Sequence, residues 1–140
     1  MAIAAAPACR ILIAEDDGDD RRLLADAFRQ CGLDCALEFH GDGESLLAAL
    51  DSADAPPDLV LLDLNMPRMD GRETLQRLRA QERFRQLPVL VMSTSAAEDD
   101  ISRANRAGCD AYFVKPVEFG ALLDLVGLIS RRWLSAQDRE

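Results

Sequence analysis

The chain has 140 residues, is 49% hydrophobic and carries a formal net charge of −9. That size fits one compact domain with a real core, and no apolar run approaches the ~18 residues of a membrane span. The acidic excess argues against nucleic-acid backbones and anionic lipid as partners, and it permits a metal cation or a basic protein surface.

In chain order, residues 1–8 read as a loose N-terminal tail, Ala-rich but without the positive n-region and apolar length of a secretory signal. A first strand is predicted over Arg10–Ala14, and it runs straight into the stretch IAEDDGDD, Ile13 to Asp20. Five of those eight residues are carboxylates, although like charges about 4 Å apart repel by roughly 4 kcal/mol at an effective dielectric near 20. A helix comes next, with Leu23, Leu24, Ala27, Phe28 and Cys31 on one face. The pattern then repeats: a strand over Cys35–His40, a helical face of Leu46, Leu47 and Leu50, and a strand over Asp58–Asp63. Leu75 with Leu78 marks the next helix, Pro88–Ser93 the fourth strand, Ile101 with Ala104 the fourth helix, and Ala111–Val114 the fifth strand. Leu122, Val126, Ile129 and Trp133 stripe the last helix, with 135–140 left as a C-terminal tail. Gly32, Gly71, Gly108, Pro56, Pro57 and Pro88 punctuate the changes of element. The runs LVLL and PVLVM are nearly continuous in apolar residues, which suits a parallel sheet buried on both faces. Five β-α units in alternation predict a doubly wound α/β domain.

In such sheets ligands bind beyond the carboxyl ends of the strands. Those ends carry Glu15, Asp16 and Asp17 after the first strand, Asp63 after the third, Ser93-Thr94-Ser95 after the fourth and Lys115-Pro116 after the fifth. Glu15, Asp16 and Asp63 are hard oxygen ligands converging on one rim, which is how Mg²⁺ is held. A divalent cation would relieve the crowding of acid. Lys115 is the only lysine in the chain, and its compact charge suits one phosphoryl oxygen better than the wider fork of arginine. With a hydroxyl from Ser93 or Thr94, these groups are the equipment for phosphoryl transfer onto Asp63.

Other residues have plainer readings. Asp17, Asp19 and Asp20 suit a helix N-terminus as caps and dipole partners. His40, the only histidine, reads as a strand-end surface residue and not as a phosphohistidine. Cys9, Cys31, Cys35 and Cys109 form no C-x-x-C pair and read as buried or incidental thiols of a reducing cytoplasm. Arg72, Arg77, Arg79, Arg83 and Arg85, interleaved with Glu73 and Glu82, read as a solvated helix face.

The segments ILIAEDD, LVLLDLNMPRMDG, LPVLVMSTS and AYFVKPV resemble, in the right order on four strands, the motifs of response-regulator receiver domains of the CheY-like kind. The resemblance spans about residues 9–134. It implies a flavodoxin-like three-layer sandwich, (βα)5, with the parallel strands in order 2-1-3-4-5. By the same resemblance Asp63 is the phosphoacceptor, and Asp16 and Asp63 bind Mg²⁺ directly. Glu15 assists, and the backbone carbonyl of Asn65 is a further ligand. Ser93 is similar to the switch hydroxyl, Tyr112 to the switch aromatic and Lys115 to the phosphate-pairing lysine, with a cis Lys115–Pro116 bond. Thr94 stands where many receivers carry a smaller residue. The function implied is that of a single-domain response regulator in a two-component phosphorelay, a phosphoacceptor rather than an enzyme. Its partners would be a sensor histidine kinase and an unidentified downstream protein. DGRETL, the MSTS run and the LISRRWL ending resemble more narrowly the regulators paired with phytochrome-type kinases.

Two other classes compete on the same fold. A phosphohydrolase using Asp63 as nucleophile would need an acid two residues on, where this chain has Asn65. A flavin-type carrier would need a phosphate loop after the first strand, and EDDGDD repels phosphate there. The last helix also predicts assembly. Leu123 and Leu134 fall together about 100° from its inward stripe, and exposed apolar patches mark interfaces, so a homodimer around this helix and the chain end is expected.

Overall fold

The structure is a computed structural model and describes residues 9–134; the two tails expected at 1–8 and 135–140 lie outside the described residues. Five strands, β1 (Cys9–Ala14), β2 (Cys35–His40), β3 (Leu59–Leu62), β4 (Val89–Ser93) and β5 (Ala111–Val114), form one sheet in the order β2-β1-β3-β4-β5. Every neighbouring pair is parallel. The helices α1 (Gly18–Gln30), α2 (Gly43–Ser52), α3 (Gly71–Arg79), α4 (Glu98–Ala107) and α5 (Phe119–Ile129) alternate with them, and a short 3₁₀ turn covers Glu82–Phe84. The fold is the doubly wound sandwich that the sequence predicts.

Successive side chains on a strand point to opposite faces, and here that alternation separates two cores. Ile11, Ile13, Leu59, Leu61, Leu90 and Met92 pack on one side with Leu24, Ala27 and Phe28 of α1 and Leu122, Val126 and Ile129 of α5. Leu12, Ala14, Val60, Leu62 and Val89 pack on the other with Leu46 and Leu50 of α2 and Leu75 and Leu78 of α3. Asp17, Asp42 and Asp70 cap α1, α2 and α3 by accepting from backbone N–H groups of the first turn. The α4 helix has no side-chain cap, and it ends at Gly108, whose φ of 106° is the left-handed conformation that favours glycine.

Several expectations are corrected. Leu23, placed on the inward face of α1, is 43% exposed; a five-residue stripe is wider than the contact the helix makes with the sheet. Arg79 belongs to no solvated face. Its guanidinium donates to the carbonyls of Phe84, Leu87 and Gly108 and to the Asp110 carboxylate, binding the end of α3 to the turns before β4 and β5. Cys9 and Cys35 are not isolated from one another: the β1–β2 register sets them directly opposite, with their sulfurs side by side, whereas Cys31 and Cys109 stand apart.

The end of α5 departs furthest from its pattern. The chain continues through a π-helical turn, Ser130–Leu134. A π turn holds more residues than an α turn and so rotates the side chains beyond it around the helix axis. Leu134 therefore enters the core at 4% exposure, and Leu123 packs half-buried against the same cluster. Trp133, expected on the inward stripe, packs half-buried against the same cluster, edge-on to Phe113 of β5 with ring centroids 6.2 Å apart. Of the two leucines behind the homodimer expectation, Leu134 is thus buried and Leu123 half-buried, while residues 135–140 of the chain end lie outside the described residues.

Candidate functional site at the carboxyl edge of the sheet

The register of β1 with its neighbours β2 and β3 brings acid together. Asp63 comes directly after β3 beside Ala14 of β1, its N–H donating to the Ala14 carbonyl at 3.0 Å. Glu15 comes directly after β1 and donates its N–H to the carbonyl of His40 on β2 at 2.8 Å. Carboxylate oxygens of Glu15, Asp16 and Asp63 consequently lie within 4.8 Å of one another, the first and last buried and Asp16 exposed. Among the described residues this is the group of carboxylates placed to hold a metal ion. Three hard oxygens with one side open to solvent fit a divalent cation that keeps part of its water shell.

Lys115 enters from the far strand. Its N–H continues the β4–β5 pairing by donating to the Ser93 carbonyl at 2.7 Å, and the peptide to Pro116 is trans, not cis as expected. The four-carbon stem reaches the rim from that geometry. Its ammonium donates to Glu15 at 2.6 Å, to Asp20 at 2.9 Å and to Asp63 at 3.2 Å. Burial alone would lower the pKa of Lys115, but the bonds to Glu15 and Asp20 outweigh it and raise the pKa well above its usual value. A lysine whose folded pKa is raised contributes stability that is fully present below its unfolded value and is lost only as pH rises through the folded one. At neutral pH the ammonium is therefore intact. Glu15 is pushed up mainly by burial, against the lowering pull of Lys115 and of the Asp17 N–H. At neutral pH its ionised form is held at a cost, and a cation on this rim would offset that cost.

The loop from β3 to α3 fixes Asp63. Asn65 donates its N–H to Asp63 Oδ1 at 3.1 Å, and Met66 and Met69 anchor the loop in the core. Gly71 donates to the Leu64 carbonyl at 3.0 Å. A Cβ there would collide with the carbonyl oxygen of Asp63, so the first residue of α3 must be glycine.

On the other side, Ser93 is fully buried at the end of β4 and accepts from the Ser95 N–H at 3.2 Å, while Thr94 is exposed. Ser95 gathers further bonds. Its hydroxyl donates to Asp100 at 2.6 Å, and its carbonyl accepts from the Tyr112 hydroxyl at 2.8 Å. Asp100 also accepts from Arg72 of α3 at 3.1 Å. The Ser95 hydroxyl foremost, with Arg72 behind it, holds the Asp100 carboxyl below its ordinary pKa. Tyr112 already has its hydroxyl on the β4–α4 loop, so no rotation is required for it to reach Ser95.

Sequence reasoning placed Glu15, Asp16, Asp63, Ser93 and Lys115 on this rim, and the structure brings them there. Ser95 also lies at the strand end expected of it, whereas Asp20, Asp100 and Arg72 join the site without a signal in the sequence. Of the three acids expected at the start of α1, Asp17 is the cap, accepting from the N–H groups of Asp19 and Asp20, and Asp20 turns to Lys115 instead. His40 takes no part: it sits between Glu38 at 2.8 Å and Ser45 at 2.5 Å.

The comparisons agree with this geometry. The family model described as response regulator receiver domain matches residues 11–127. The probable methanogenesis regulatory protein FilR2 of Methanothrix harundinacea is 35% identical over 128 residues, 89% of this chain and 83% of its own. The response regulator Rcp1 of Synechocystis sp. is 33% identical over 129 residues, 89% of this chain and 88% of its own. The solved Mn²⁺-bound form of Rcp1 superimposes with a TM-score of 0.81 at 31% identity, covering 90% of this chain and 94% of that one. The phosphorylated cyanobacterial phytochrome response regulator RcpA does so with a TM-score of 0.85 at 32% identity, covering 91% and 95%.

Proposed function

The chain belongs to the response regulator receiver family, and from that premise we propose that it accepts a phosphoryl group on Asp63 from a sensor histidine kinase, with Mg²⁺ held by Glu15, Asp16, Asp63 and the backbone carbonyl of Asn65. The observation that carries this reading is Lys115 reaching from β5 to donate to both Glu15 and Asp63. Fixed cationic charge beside a carboxylate, together with a metal, stabilises the charge that spreads over a transferring phosphoryl group. Bound there, the cation would supply electrostatic stabilisation of that group. The chain's own residues position Asp63, exclude water from its inner face and present the ammonium. Asn65 offers no acid or base at the position a phosphohydrolase would use, which supports a phosphoacceptor rather than a turnover enzyme.

In this reading the buried Ser93 hydroxyl is the switch: turned toward a phosphoryl group, it gives up the Ser95 N–H, and Ser95 is where Tyr112 and α4 are held. Thr94 flanks the phosphoryl site. The likeness to Rcp1 and to the phytochrome regulator RcpA supports a phytochrome-type kinase as the partner, hence work in the cytoplasm, where such kinases present their phosphoryl groups. Among the described residues no helix is long and apolar enough to cross a membrane. A homodimer around the last helix would rest on the half-buried Leu123 without Leu134, which is buried. Radiolabelled acetyl phosphate tests the chemistry: the chain should be labelled with Mg²⁺ present and left unlabelled after chelation. Labelling indifferent to the cation would remove the metal from the mechanism. Transfer from a purified phytochrome-type kinase should outpace transfer from an unrelated kinase, and the reverse order would cancel that partner.

A further inference from the structure

Lys115 has three N–H donors, and three carboxylates consume them. Two of those carboxylates, Glu15 and Asp63, belong to the group that converges as a metal seat; the third, Asp20, does not. The longest of the three bonds, 3.2 Å, is the one to Asp63. We propose that Asp20 is a positioning residue for Lys115, holding its ammonium on the α1 side of the pocket and setting how readily it is given up to a phosphoryl group on Asp63. This rests on the phosphoacceptor reading above.

The local fold aims Asp20 inward. The Asp17 cap accepts from the N–H groups of both Asp19 and Asp20 at 2.8 and 3.0 Å, which fixes the first turn of α1. Asp19 then faces solvent, its side chain 85% exposed and paired with Arg22, while Asp20 turns to Lys115 with its side chain 38% exposed. Asp20 and Lys115 line one small crevice of about 40 Å³ with Leu23, Leu24 and Pro116. Apolar walls strengthen an ion pair by keeping water from one side of it. A phosphoryl oxygen needs a donor from an ammonium that has none spare, so one existing bond must lengthen. Glu15 is almost wholly buried, whereas Asp20 is open enough for water to take the place of the lysine. Asp63 changes on taking the group, so of the two bonds that remain the one to Asp20 is the more readily released, and its strength opposes the turn of the ammonium toward the phosphoryl oxygens.

The probe is beryllofluoride, a phosphoryl mimic that forms on an aspartate without a kinase, measured by calorimetry with Mg²⁺ on the full chain. Asp20→Asn should bind it about tenfold more tightly than wild type, the scale of one hydrogen bond between charged groups. Asp19→Asn removes the same formal charge one residue away without touching Lys115, and it should stay within about twofold of wild type. Asp20→Glu, which restores a carboxylate, should return the affinity toward wild type. Mg²⁺ alone should bind Asp20→Asn and Asp19→Asn alike. Equal beryllofluoride affinities in the two asparagine variants would overturn the proposal by reducing Asp20 to part of a diffuse field. Weaker binding in Asp20→Asn would overturn it too, since the carboxylate would then be aiding phosphoryl binding. A wild-type chain that binds no beryllofluoride with Mg²⁺ would instead sink the phosphoacceptor reading itself.

Discussion

On the β1–β3 side of the rim, every strand residue from Ile11 to Ala14 and from Leu59 to Leu62 is buried; on the far side, no residue of β5 is. The helices differ in the same way. The α3 helix starts on an Asp70 cap and a glycine pressed against the Asp63 carbonyl. The α4 helix starts on Ala97, with no cap of its own, and is held by Ser95, Asp100 and Arg72. Three exposed large hydrophobics, Leu23, Val114 and Val117, flank Lys115 in sequence or line its crevice. One side is a rigid seat of acid, where a shift of an ångström would misplace Asp63. On the other, α4 has a small apolar contact, Ala104 with Val91 and Leu64, supplemented by a few polar bonds that can be exchanged, and regions with fewer buried contacts open at lower cost. A site astride that seam can hold its chemistry still while its surroundings respond.

The rigid side should break most expensively. Gly71→Ala drives a methyl into the Asp63 carbonyl and the Leu64 backbone, and we expect a loss of about 3 kcal/mol in urea unfolding, at the upper end for overpacking because backbone must move. A loss below about 0.5 kcal/mol, the range of ordinary surface substitutions, would show that the α3 start is as pliant as the α4 start.

The compliant side should loosen locally. Asp100→Asn weakens the bonds to Ser95 and Arg72, so amide hydrogen exchange over residues 95–101 should accelerate severalfold, with β1 and β3 unchanged. Uniform acceleration across the sheet would mean that the two sides form one cooperative unit.

Ser93→Ala should be milder still in stability. The variant should accept phosphate as wild type does, yet lose the change in exchange that phosphorylation produces in α4 and β5. A wild-type response would move the switch to another residue, with Thr94 the first to test.

Legibility in the sequence divides along the same seam. Glu15, Asp16, Asp63 and Lys115 were legible because strand ends in a parallel sheet must share one rim, so their type and position sufficed. Asp20 was not, because an acid in the first turn of a helix looks the same whether it caps or turns inward; only the Asp17 cap geometry decides. Arg79 reaches the Gly108 carbonyl and Asp110, and Asp100 reaches Arg72, about thirty residues away in each case, and a backbone carbonyl or a surface ion pair leaves no pattern in the sequence. Leu134 defeated a helical wheel because the π turn breaks the 3.6-residue period on which the wheel depends. Cys9 and Cys35 meet through strand register, which residue spacing alone leaves undetermined.

The central claim is that Asp63 takes the phosphoryl group. Its most direct test is intact-mass and peptide mapping after reaction with acetyl phosphate and Mg²⁺, on wild type and Asp63→Asn side by side. Wild type should gain one phosphoryl group, carried by the peptide that contains Asp63, and the variant none. Equal incorporation in both proteins would place the acceptor elsewhere and contradict the account.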